Sequence, residues 1–112
     1  MKLIRMTNEQ RERFHNHINN IRRKYSNPDT KLKVGRTLRN VNNLIYLAGY
    51  PVANIEYFSN ANVAVVVLAS DDYRRSVMTA YVREREIEFR YGMQSFARFK
   101  KPADAAEWLE RF

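Results

Sequence analysis

The sequence predicts an α+β fold: two N-terminal helices, a mostly antiparallel sheet of about four strands, and a short C-terminal helix. Three observations carry this. Apolar residues recur at helical spacing up to Ala48. They alternate at strand spacing from Val52, and an apolar helical face returns after Pro102. At 112 residues the chain is one domain, 1–112, and its 45% apolar content fills one modest core. Grouping helices against an antiparallel sheet is the α+β arrangement.

Each element has its own local signal. Residues 2–6 alternate and predict a short first strand or an extended lead-in. Thr7 reads as an N-cap, with Gln10 three residues on completing a capping box. Phe14, Ile18, Ile21 and Tyr25 then form one stripe of an amphipathic helix. The run 26–29 stops it, because Pro28 biases Asn27 away from helix. Asp29 or Thr30 is expected to cap the second helix, whose stripe is Val34, Leu38, Val41, Ile45 and Ala48. Gly49 followed by Pro51 ends it.

Residues 52–59 and 62–70 read as strands around a 59–62 turn. The second is apolar almost throughout, as expected of a central strand covered on both faces. Asp71-Asp72 breaks it. Between 73 and 91, Val77, Thr79, Tyr81, Ile87, Phe89 and Tyr91 all fall on odd positions, favouring strand over a short helix at 71–82. Residues 95–100 make a last strand. Pro102 opens a terminal helix, with Asp104 and Arg111 complementing its dipole.

Charge is the most informative composition. The chain carries 20 basic and 12 acidic residues, a net +8. Residues 1–40 hold 11 basic groups against Glu9, Glu12 and Asp29, so the whole excess lies there. Arg outnumbers Lys 14 to 6, favouring forked hydrogen bonds to phosphate or carboxylate. If both helical stripes bury, Arg13, Arg22, Arg23, Lys24, Lys33, Arg36, Arg39, Asn40 and Asn43 face outward. Arg and Lys neutralise phosphates, and Asn bonds base edges or sugar. The same register exposes Asn42.

Other chemistries are poorly supplied. With no Cys there is no disulfide scaffold, thiolate zinc site or cysteine nucleophile. His15 and His17, two residues apart on a helix, point apart and cannot chelate one metal. Glu84, Glu86 and Glu88 alternate with Arg and read as one solvated strand face. No phosphate loop, nucleophile elbow or dinucleotide fingerprint occurs. No cofactor is expected. The strand aromatics Tyr57, Phe58, Tyr81, Phe89, Tyr91, Phe96 and Phe99 are expected mainly in the core.

Two resemblances bear on function. The run 95–106 is similar to the third-strand and second-helix segment of RNA-recognition motifs. It covers under a fifth of the chain, lacks the Gly-aromatic-Gly start, and leaves no room for a fourth strand. The element order up to residue 70 looks like that of small basic ribosome-dependent RNase toxins. That resemblance implies metal-free cleavage using scattered groups such as His15, Arg36 and Tyr91. The chain departs from those toxins in its strands and helix beyond residue 70, and residues 54–69 contain no basic residue.

The expectation is a small, basic, non-catalytic binding protein acting on RNA or single-stranded DNA through its N-terminal helices. The alternative is an inhibitor or regulator that grips an acidic protein surface, such as a phage or mobile-element product blocking host or defence machinery. The longest apolar run, seven residues from Val63, is too short to span a membrane, and no signal-peptide stretch is visible, so a cytoplasmic location is expected. The same run would also suit a homodimer contact.

Overall fold

The computed structural model describes residues 6–69 and 76–111. Its elements are α1 (Asn8–Lys24), α2 (Pro28–Ala48), β1 (Val52–Phe58), β2 (Val63–Ala69), β3 (Ser76–Arg83), β4 (Ile87–Tyr91), β5 (Gln94–Phe99) and α3 (Pro102–Arg111). The α+β class and helix placement are as predicted, with five strands in one antiparallel sheet of order β1-β2-β3-β4-β5. The expected first strand at 2–6 and the Asp71-Asp72 break involve residues outside those described.

The helix ends follow from local chemistry. The Thr7 hydroxyl accepts from the Gln10 backbone N–H while Gln10 Oε1 accepts from the Thr7 N–H, the full capping box. Asn27, not Asp29 or Thr30, caps α2: its Oδ1 accepts from the Asp29 N–H. Pro28 therefore starts α2 instead of merely stopping α1. At the first helical position its missing N–H costs nothing and its fixed φ suits the helix. Gly49 ends α2 with a left-handed φ of 73°.

Strand register sorts residues onto two faces. Tyr57, Ala64, Val82, Ile87 and Phe99 form one row across the sheet, and Ile55, Val66, Ala80, Phe89 and Ala97 the next. These rows meet Phe14, Ile18, Val34, Leu38, Val41, Ile45 and Leu109 in a single core. Along the sheet, α1 lies on β1, α2 on β2 and β3, and α3 against α2 and β5. Phe89 is fully buried and stacks on Trp108 at 4.9 Å between ring centroids.

The odd-numbered pattern from 77 to 91 proves to be two strands of opposite phase. A tight turn over 83–86, closed by the Arg83 N–H donating to the Glu86 carbonyl at 2.7 Å, reverses which parity faces the core. Tyr81 therefore lies on the far side from Phe89. The 71–82 helix alternative is excluded over β3.

Two polar ties fix α2 to the hairpins. The buried Thr37 hydroxyl donates to Asn62 Oδ1 at 2.8 Å, and the Tyr57 hydroxyl donates to the same oxygen at 2.6 Å. Asn62 closes the β1–β2 turn with φ 48°, a left-handed conformation that Asn tolerates well. Asn40 Nδ2 donates to the carbonyls of Arg83 and Glu84, both at 2.9 Å, tying α2 to the β3–β4 turn.

Among the described residues the helices all pack on one side of the sheet. The other face carries the rows Phe58–Val63–Arg83, Glu56–Val65–Tyr81–Glu88–Arg98 and Asn54–Val67–Thr79–Arg90–Ser95. No described helix packs over it, yet Val63 and Ala69 are buried and Val65 and Val67 half-buried there, so β2 shows little surface on either face.

Candidate nucleic-acid interface

The basic residues from Arg11 to Arg39 lie exposed on α1 and α2. Arg13, Arg22, Arg23, Lys24, Lys33, Arg36, Arg39 and Asn43 are all exposed. Their surroundings differ, and those differences decide which of them are available to a ligand.

Five of the nine sequence-selected residues have neighbours within the chain that account for them. Arg36 pairs with Glu84 at 2.9 Å. Asn40 is half-buried in its two carbonyl bonds, and Asn42 is half-buried too, so of the three amides only Asn43 is exposed. Arg23 donates to Asn20 at 2.5 Å, and Arg13 pairs with Glu9 one helical turn away. The ammonium of Lys24 stands 5.6 Å from the centre of the Tyr25 ring. Arg22, Lys33 and Arg39 make no ion pair among the described residues, and neither does Lys31, which sequence reasoning did not single out as a contact.

Arg22 and Lys31 both line one groove. It lies where α1 turns into α2, has a volume of about 190 Å³, and is lined by Arg22, Tyr25, Ser26, Lys31, Val34 and Gly35. Tyr25 and Val34 give it an apolar floor, and the two cations stand at its rim. Gly35 leaves it open, since no atom lies within 4 Å of where its Cβ would be. Gly35→Ala should therefore stabilise the fold by about 0.5–1 kcal/mol, the helical cost of glycine, with no clash to offset it. A shift of the urea midpoint reads this directly, and an unchanged or lower midpoint refutes it.

A second cleft, about 500 Å³, lies beside this one between α1 and β1. Ile21, Lys24, Tyr25, Tyr57 and Phe58 are among its lining residues. The Tyr25 and Tyr57 rings meet edge to face at 5.0 Å. Aromatic surface thus borders the cationic end of α1.

Other sequence candidates do not converge. Tyr46 hydrogen-bonds His15 Nε2 across the α1–α2 contact. Arg36 sits at the 83–86 turn, whereas Tyr91 lies at the far end of β4 beside Phe96. His15, Arg36 and Tyr91 are therefore not assembled into one constellation. Among the described residues no group of three His, Asp or Glu side chains is placed to hold a metal. No helix among them is long and apolar enough to cross a membrane.

The acidic run corrects another reading. Glu84, Glu86 and Glu88 do not share a solvated face, because 84–86 form the turn. Glu88 is 1% exposed and ion-paired to Arg83 at 3.2 Å, Arg90 at 3.0 Å and Arg98 at 3.2 Å. Of the strand aromatics, Phe89 is core and Tyr57 and Phe99 pack against it, while Phe58, Tyr91 and Phe96 are exposed.

Comparison with protein-family models, curated proteins and solved structures finds no match for this chain.

Proposed function

We propose that this protein binds single-stranded nucleic acid, without catalysis, along the outer faces of α1 and α2. The observation that carries this reading is the pair of cations, Arg22 and Lys31, at the rim of an apolar groove with no ion-pair partner among the described residues. Lys31 closes the first turn of α2, the end where the helix dipole disfavours a cation by about 0.3–1 kcal/mol. Such a placement opposes folding stability and favours an anion arriving from outside. Arg39, roughly 80° round α2 from Lys31, is on the same side of that helix, whereas Lys33 and Lys24 stand two residues from Lys31 and Arg22 and point to other faces. The groove floor and the aromatic cleft beside it suit unpaired bases, which a duplex would not present.

The test is a fluorescence-anisotropy titration of labelled single-stranded RNA, single-stranded DNA and duplex DNA across a salt series. About five phosphate contacts on a single strand give a log–log salt slope of roughly −3.5. The triple variant Arg22→Glu/Lys31→Glu/Arg39→Glu should weaken binding at least tenfold and flatten the slope by about 2. These three positions are chosen over Arg36 because reversing Arg36 also breaks its pair with Glu84. Equal, weak binding of all three nucleic acids by wild type and variant refutes the reading. That result would favour the acidic protein surface as partner.

A further inference from the structure

The chain has three glycines, and the backbone accounts for two of them: Gly49 and Gly92 hold left-handed φ values of 73° and 61°. Gly35 has no such φ and stands exposed inside α2. Nothing crowds it, because no atom lies within 4 Å of the position a Cβ would take. Neither conformation nor packing asks for glycine there, and only proline suits a helix interior less.

What Gly35 does is leave the groove between α1 and α2 open. That groove holds about 190 Å³. A cavity of about 150 Å³ admits a benzene ring, so the space fits one nucleobase and not a stacked pair. Tyr25, half-buried, and Val34, buried, supply its apolar lining. Along α2, Lys31, Gly35 and Arg39 follow one another in steps of four residues, which places them in one row of the helix surface. The gap at Gly35 therefore has a cation one turn to either side. Arg22 lines the same groove from α1. These three cations have no ion-pair partner among the described residues.

We propose that Gly35 admits one nucleobase of a bound single strand into this groove. The base lies against Tyr25 and Val34, and the phosphates flanking it meet Lys31, Arg39 and Arg22. Base entry at Gly35 rests on the nucleic-acid reading above and goes beyond it by naming the residue that makes room. Any longer side chain at this position fills the space the base needs. The stability that α2 forgoes by carrying glycine is then the condition for an open site.

The probes are a short oligouridylate and an abasic strand of the same length, which carries the same phosphates without bases. Fluorescence anisotropy should show wild type binding the oligouridylate about tenfold more tightly than the abasic strand, as stacking of a base on an aromatic ring provides. Gly35→Leu should bring the two affinities together and leave the abasic strand's affinity where it was. Its circular-dichroism melt should lie at or above that of wild type. Gly35→Gln, of similar length and polar, makes the same comparison if the leucine chain fails to fold. Equal binding of both strands by wild type overturns base entry while leaving phosphate binding in place. A base preference that survives both substitutions overturns the assignment to Gly35. Failure of wild type to bind either strand removes the nucleic-acid reading itself, and base entry with it.

Discussion

Glu88→Gln should cost about 3 kcal/mol of stability at pH 7, and that cost should largely disappear by pH 2. The Arg90 hydrogen bond, aided by Ser95 and Arg83, outweighs the opposing effect of burial and holds the Glu88 carboxyl at about 2 instead of 4.5. Burial makes the charge costly alone, and three guanidiniums make it favourable. Removing it leaves Arg83, Arg90 and Arg98 facing one another with no anion between them.

The sign follows from the depressed value. The ionised form's contribution is fully present above about 4.5 and fades as pH falls through 4.5 toward 2. Protonated Glu88 resembles glutamine, so wild type converges on the variant at low pH. Urea denaturation of both proteins at pH 7, 4 and 2 measures the gap. A gap that stays constant across those pH values would show that the arginine cluster does not depend on the charge.

Phe89→Ala should be comparably damaging, at about 3–5 kcal/mol. Phe89 is 0% exposed and lies where three elements meet. Its ring stacks on Trp108 of α3 and meets Phe99 of β5 edge to face at 6.1 Å. Truncation opens a cavity whose walls are two large rigid rings, which collapse poorly into it. Phe89→Leu refills most of that volume and should cost about 1–1.5 kcal/mol. Urea unfolding followed by circular dichroism reads both, leaving the single tryptophan free to report loosening of α3 by its fluorescence. Equal losses for Ala and Leu would show that ring geometry, not volume, sets the stability here.

What the sequence makes legible is local. The Thr7–Gln10 box, the Phe14–Ile18 and Val34–Leu38–Val41 stripes and the Gly49 stop each depend on residues within one or two turns, and each is found as expected. Pro28 is ambiguous locally, since the same residue can stop one helix and start the next. Only the Asn27 cap decides it. The strand parity between 77 and 91 is real, but a turn over 83–86 inverts its meaning, and no periodicity reports on such an inversion.

The candidate interface is legible as composition and not as arrangement. The charge asymmetry is plain, yet Arg36 is tied to Glu84, 48 positions away, and Asn40 to the carbonyls beside it. Lys31 looked ordinary until the corner of α1 and α2 set it in one groove with Arg22. Glu88 was the least readable of all. Its burial arises because β3, β4 and β5 carry Arg83, Arg90 and Arg98 to one spot, and that depends on register across two hairpins.

The meander order of the sheet bears on how quickly the protein folds. Every ladder joins strands adjacent in sequence, so each closes a short loop and incurs little closure entropy. Strand pairing can then advance one hairpin at a time, with no distant segment needing to thread back between earlier ones. Strand pairing of this local kind favours fast formation of the sheet. Of the principal helix contacts, the one that spans most sequence joins α3, at the end of the chain, to α2, and it carries the largest closure cost.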